Sequence, residues 1–178
     1  YVGSMVVLED GLPIKREYRK FKIKDVPGND DYAAMKEVLT RRLSAYIAER
    51  DLPIEQRGEK PGKFAYPPQL ILVDGGKGQL GVAMEVISEL GLEHEIPVAS
   101  LAKRLEEVFV PNKPEAVDVP RGSDALFMLQ VIRDEAHRFA NSFHRELRGK
   151  RMTKGALDGI QGLGEARKKK LIAHFGTV

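Results

Sequence analysis

Leu70-Ile71-Leu72-Val73-Asp74-Gly75-Gly76-Lys77-Gly78-Gln79 changes character within a few residues, and that change sets the fold. Four consecutive apolar residues without polar alternation read as a short strand buried on both faces, as in the centre of a mixed or parallel sheet. An acid and two glycines end the run abruptly. Asp74 is thereby expected at the carboxyl edge of a sheet, where ligands commonly bind in open α/β folds. The glycines permit unusual dihedrals and close backbone approach. Lys77 and Gln79 stand at the start of the next helix, where unpaired N–H groups and the helix dipole favour phosphate. The same aspartate would serve equally as a helix cap. Gly75-Gly76-Lys77-Gly78 is not a Walker loop, because the required spacing and the Ser/Thr after Lys are absent.

Downstream, a helix is expected from about Gln79 to Leu90, closed by Gly91. Pro97 to Leu101 and Glu107 to Val110 read as strands. Ser123 caps a long helix running to about Arg148, with Leu129, Ile132, Ala136, Phe139, Phe143 and Leu147 on its apolar side at about 100° per residue. Arg133, His137, Asn141, His144 and Arg148 fall on an adjacent polar side. Upstream, Ser4 to Leu8 and Glu17 to Lys24 form an expected antiparallel hairpin, with a turn at Glu9-Asp10-Gly11. Asp30 or Asp31 caps a helix to about Glu49, and residues 51–68, rich in Pro, Gly and charge, read as a surface loop. Strands and helices alternate around an apolar central strand, so the main domain, residues 1–149, is α/β or α+β.

Composition narrows the chemistry. The 178 residues are 42% hydrophobic and 31% charged, as in a globular protein. No apolar run approaches the roughly 20 residues of a membrane helix. Cysteine is absent, which excludes disulfides and thiolate ligands and fits a cytoplasmic protein. A metal would need carboxylate, imidazole or water ligands, favouring a hard ion such as Mg²⁺ or Mn²⁺. Net charge is +3, yet from His144 to Lys170 nine Lys/Arg face three acids. Such a basic end reads either as a polyanion contact or as a solvated helix face.

His137 is a candidate metal ligand or proton carrier if it lies near a carboxylate, and otherwise a surface histidine. His144, seven residues on, is too far along the helix for a paired ligand and is assigned a phosphate contact. Asp31 would add a second acid if it points toward Asp74, since carboxylates sharing an ion suit phosphodiester hydrolysis. Residues 150–156 are expected as a linker and 157–178 as a separate unit. There, Ile160-Gln161-Gly162-Leu163-Gly164 leads into a basic helix from Glu165 to His174. This reads as a helix–hairpin–helix whose Gly162 and Gly164 expose backbone N–H groups to phosphate, with Arg167 and Lys168 adding charge. A plain helical turn is the other reading.

In order, Gly3-Ser4-Met5-Val6-Val7 with Glu9-Asp10-Gly11, Tyr18 to Ile23, Asp30-Asp31-Tyr32-Ala33-Ala34-Met35, Leu72 to Leu80, Leu101-Ala102-Lys103 with Glu106, Ile132 to Ala140, and Phe143-His144-Arg145 resemble the UvrC family across nearly the whole chain. UvrC is the incision subunit of the bacterial excinuclease ABC repair system. The resemblance implies a ribonuclease H-like fold and a metal-dependent DNA endonuclease that cuts on the 5′ side of a lesion. It implies catalytic roles for Asp74, Asp31 and His137, with Asp74 and His137 at the metal. Lys77, Gln79, Lys103, Arg133, His144, Arg145, Arg148, Gly162, Gly164, Arg167 and Lys168 would contact damaged double-stranded DNA. Partners would be UvrB and, indirectly, UvrA. The family's core opens with an Asp-bearing strand just upstream of the segment matching Tyr1, so the metal site is expected to be incomplete in a chain starting here. Only the first helix–hairpin–helix unit is expected within it. A catalytically silent DNA-binding module and a scaffold for an acidic protein partner are the rival readings; metal binding at Asp74 and competition by short duplex DNA tell them apart.

Overall fold

The computed structural model describes residues 2–156 and 160–175, with residues 149–156 and 172 as backbone only. The chain forms two compact units, residues 1–136 and 137–178. Among the described residues no helix is long and apolar enough to cross a membrane.

The first unit opens with β1 (Val2–Met5), β2 (Leu8–Glu9), β3 (Leu12–Pro13) and β4 (Arg19–Lys22). β1 and β4 pair antiparallel, with Gly3 opposite Phe21 and Ser4 opposite Lys20. The expected hairpin is therefore present, but its first strand ends at Met5. Leu8–Glu9 and Leu12–Pro13 instead close a smaller hairpin around Asp10 (φ 51°) and Gly11 (φ 77°). Two central residues of positive φ suit the right-handed twist of the flanking strands, and Asp-Gly tolerates them.

α1 (Asp31–Arg50) is capped by Asp30, whose Oδ1 accepts from the Ala33 N–H at 3.0 Å. The cap role thus belongs to Asp30, and Asp31 is the first helical residue. β1 lies close on α1 because Gly3 has no side chain; a Cβ there would stand 2.5 Å from Val38 Cγ2.

β5 (Ile71–Asp74), α2 (Lys77–Glu89) and β6 (Val98–Ala102) form a β–α–β unit in which β6 runs parallel to β5. The connection is long because parallel neighbours require a crossover. β7 (Glu107–Phe109) returns antiparallel to β6. Gly91, at φ 67°, closes α2 as expected. On one face of this sheet Leu80, Ala83, Val86 and Ile87 from α2 pack with Leu43 and Tyr46 from α1, over Val73 and Val98. On the other face Ala99, Leu101 and Val108 pack with Leu129. Cover on both faces explains the apolar run of β5 and the lack of polar alternation in β6, where only the small Ser100 is polar.

Leu129 belongs to α3 (Asp124–Ala156), which Ser123 caps by accepting from the Leu126 N–H at 3.3 Å. α3 does not stop near Arg148. It continues through residues 150–156, which the sequence marked as linker, and the compact units divide at residue 136 rather than 149. Gly149 and Gly155 each cost a helix only about 1 kcal/mol, whereas no proline interrupts it. In the second unit α4 (Glu165–Phe175) follows a turn at Gly162, φ 90°. Leu157, Asp158 and Gly159 lie outside the described residues.

Candidate active site

Within the first unit a cleft of about 990 Å³ runs along β1 and β5. Among the described residues β1 pairs with β4 and β5 with β6, so each strand leaves its other edge without a strand partner. Residues 2–7 and residues 70–74 both line the cleft. Asp31, Asp74, Gln79 and Arg133 line it as well.

Asp74 is the last residue of β5 and stands in register with Leu101. It is exposed, at the carboxyl end of the parallel pair, as the apolar run followed by glycines predicts. The chain leaves it by a bond from the Gly75 N–H to the Leu101 carbonyl at 3.1 Å. Gly75 then adopts φ 145°, and a Cβ there would lie 2.4 Å from Gln79 Cδ. Gln79 packs against that bare backbone and accepts from the Gly76 N–H at 3.1 Å. Gly76, not Asp74, holds the cap position of α2. The sequence left the capping and site readings of Asp74 open; with Gly76 at the cap position, the capping reading does not hold.

The cations near the cleft are engaged to different degrees. Arg133 is largely buried, with its guanidinium 3.4 Å from Glu106 Oε1 and 3.2 Å from Asp134 Oδ1. Gln130 Nε2 donates to the other Glu106 oxygen at 2.5 Å. Lys77 Nζ sits 5.5 Å from the centre of the Phe109 ring, a cation–π distance. Lys103 is exposed just beyond β6.

Three residues make contacts in the structure that the sequence did not reveal. Glu106 organises Arg133. The buried Tyr18 hydroxyl donates to Glu135 at 2.8 Å, tying β4 to α3. Arg42, on α1, is buried and lines the cleft; its Nη2 donates to the Tyr66 carbonyl at 3.3 Å and its guanidinium lies 4.4 Å from the Phe64 ring centre. Its Nη1 has no hydrogen-bond partner among the described residues. Burial holds the Arg42 guanidinium below its ordinary pKa. An arginine between the apolar positions Leu39 and Leu43 is a weak signal, since long basic side chains often snorkel.

Asp31 and Asp74 offer oxygen donors to one cleft, which fits a hard divalent ion. Among the described residues no three His, Asp or Glu gather as a metal-holding group. His137 opens the second unit and is described within it. In that unit His144, Arg145 and Arg148 are exposed on α3. Arg167 Nη1 donates to the Gly162 carbonyl at 3.3 Å, and Lys168 pairs with Glu165 at 3.7 Å. The N–H groups of Arg167 and Lys168 both donate to the Gly164 carbonyl, starting α4.

The model of the UvrC RNAse H endonuclease domain matches residues 1–141. The UvrABC system protein C of Mycolicibacterium smegmatis is 49% identical over 180 residues, covering 99% of this chain and 25% of the relative. That of Chlorobaculum tepidum is 49% identical over 178 residues, covering 100% and 26%. That of a Parafrankia species is 48% identical over 194 residues, covering 99% and 28%. The chain thus spans about a quarter of the length of these relatives.

Proposed function

The chain belongs to the UvrC family, with a mixed α/β, ribonuclease H-like endonuclease domain over residues 1–141, and from that membership we propose that it is the catalytic part of a DNA-repair endonuclease that incises on the 5′ side of a lesion. The observation that carries this reading is Asp74, exposed at the carboxyl end of β5 and sharing a cleft with Asp31.

Asp74 and Asp31 would hold Mg²⁺ or Mn²⁺; for His137 family membership implies a role as metal ligand or proton carrier. A bound divalent ion supplies the charge that makes water nucleophilic near neutral pH and neutralises the departing oxygen. The water oxygen forms the new bond to phosphorus, the ester P–O bond breaks, and the leaving oxygen takes up a proton. Lys77, Lys103 and Arg133 hold the phosphate backbone. In the second unit His144, Arg145 and Arg148 would contact phosphates as well, and Gly162, Gly164, Arg167 and Lys168 would form the first half of a helix–hairpin–helix. Contacts of this kind carry no base code, which suits an enzyme directed by damage. In the whole protein UvrB and UvrA would deliver it to damaged duplex.

The open edges of β1 and β5 support a further part of this reading. A strand added between them would satisfy both rows of backbone groups. The Asp-bearing strand that the family places upstream fits this slot. Its main-chain carbonyls would offer an acceptor to Arg42 Nη1, and its acid would join Asp74.

The test is nicking of a bubble-containing duplex in Mg²⁺ or Mn²⁺. This chain is compared with one extended upstream through that strand, and with Asp74→Ala in the extended form. Cutting by the extended protein, lost in Asp74→Ala with DNA binding retained, is the expected result. Cutting that survives Asp74→Ala removes Asp74 from the site. Binding without cutting by the extended protein favours the silent DNA-binding module.

A further inference from the structure

The turn between β6 and β7 is held by side chains of α3. Ala102 pairs with Glu107, so residues 103–106 make the whole reversal. Glu106 adopts φ 52°, a left-handed conformation uncommon for a residue with a side chain. Its carboxylate is held by Gln130 Nε2 at 2.5 Å and by Arg133 at 3.4 Å. Gln130 and Arg133 lie three apart on α3 and so share one face. The turn is pinned at its base to a helix that is itself packed on the sheet.

What this pinned turn presents is Leu105, 59% exposed, with Lys103 and Arg104 exposed before it. Leu105 belongs to neither apolar cluster of the sheet. A single exposed leucine is ordinary. A leucine at the tip of an anchored turn, next to two cations and beside a candidate catalytic acid, is a more specific arrangement. Asp74 is in register with Leu101. At about 3.3 Å per residue the turn therefore starts roughly 7 Å beyond the acid along the strand direction. Side chains of this type, flanked by cations, are used by DNA-bending proteins to enter a base step and unstack it.

We infer that Leu105 is a wedge that presses into the base stack of duplex DNA next to the phosphate held at Asp74, while Lys103 and Arg104 neutralise neighbouring phosphates. The wedge rests on the DNA-incision reading above and adds to it a local distortion of the duplex. Glu106 is the positioning residue, because it fixes the turn from which Leu105 projects.

The experiment uses the full-length protein carrying Asp74→Asn, so that bound DNA stays intact, on duplexes with 2-aminopurine at successive steps around the incision site. With Leu105 present, fluorescence rises at one step, as that base loses its stacking neighbour. Leu105→Ala abolishes the rise while affinity stays within about twofold, well under the 1.4 kcal/mol of a tenfold change. Leu105→Met restores the rise. Lys103→Ala and Arg104→Ala each lower the salt slope of binding by about 0.9, one phosphate contact. An unchanged rise in Leu105→Ala overturns the wedge. So does DNA that is bound, and cut by the Asp74 protein, with no rise at any step; incision then stands without the wedge. A protein that neither binds nor cuts DNA overturns both.

Discussion

Gly75 shows how much of the site depends on one missing side chain. Its φ of 145° lies where residues with a Cβ are strained, and Gln79 occupies the space a methyl would need. Gly75→Ala should cost about 1–3 kcal/mol, the usual range for a residue forced into such a conformation. It should also displace Gln79 from the Gly76 N–H and move Asp74. Urea denaturation checks the first effect and DNA nicking by the upstream-extended protein the second. Wild-type stability in the alanine variant would mean that the turn relaxes freely and does not hold the acid. At this scale the sequence was informative where a residue type is tied to its neighbours. The abrupt passage from apolar run to Asp-Gly-Gly placed Asp74 at a sheet edge, and the structure agrees. Between Asp30 and Asp31 the sequence had no means of choosing, because either can begin a helix; the bond to the Ala33 N–H assigns the cap to Asp30. The contacts of Arg42 and Glu106 were illegible for another reason. Their partners, Tyr66 and Phe64 for one and Gln130 and Arg133 for the other, are more than twenty residues away in the chain.

Elements were legible by type more than by limits. β5 and β6 sit where largely apolar runs fall, since cover on both faces leaves no regular alternation to read. The first hairpin was expected with the correct partners, but its leading strand, expected over Ser4 to Leu8, begins at Val2 and ends at Met5. A β-rich run does not show where a tight Asp-Gly turn takes the chain out of the ladder. The end of α3 was misplaced because glycines and basic residues resemble a linker in composition, although neither forbids a helix. The sheet itself makes a quantitative expectation. Leu101 is 1% exposed and packs on the face opposite α2, one register position from the turn that carries Leu105. Leu101→Ala should destabilise the domain by about 2–5 kcal/mol through lost transfer energy and the cavity left behind. Chemical denaturation measures it; a loss under about 1 kcal/mol would show that the α3 side of the sheet is loosely packed.

For the molecule as a whole, the charges joining the elements predict a plateau of stability against pH. Burial pushes the Glu37 carboxyl up, but the N–H groups of Asp25 and Lys24 and the Arg41 guanidinium outweigh it and leave the group below its ordinary value of 4.5. Glu85 is held below 4.5 by its hydrogen bond from Lys36. A carboxyl whose pKa is lowered by folding contributes stability above its unfolded value, and that contribution is lost as pH falls through the folded value. Lys36, bonded to Glu85 and Glu89, is raised above 10.5 and acts in the opposite sense, contributing until pH climbs through its folded value. The melting temperature should therefore be flat between these limits, falling below about pH 4.5 and above about pH 10.5. Glu37→Gln should flatten the acid limb; an acid limb identical to the parent would remove Glu37 as a contributor.

The two strand edges along the cleft that have no strand partner among the described residues also bear on handling and shelf life. A row of unanswered amide and carbonyl groups is a template, and any extended segment of another molecule that reaches it is a competitor for the seat. A preparation of this polypeptide should be colloidally fragile, forming dimers and then larger species as concentration rises. Sedimentation velocity across a concentration series would record this. A version carrying the upstream strand in cis should stay monomeric over the same range, and if both behave alike, the flanks are shielded in solution.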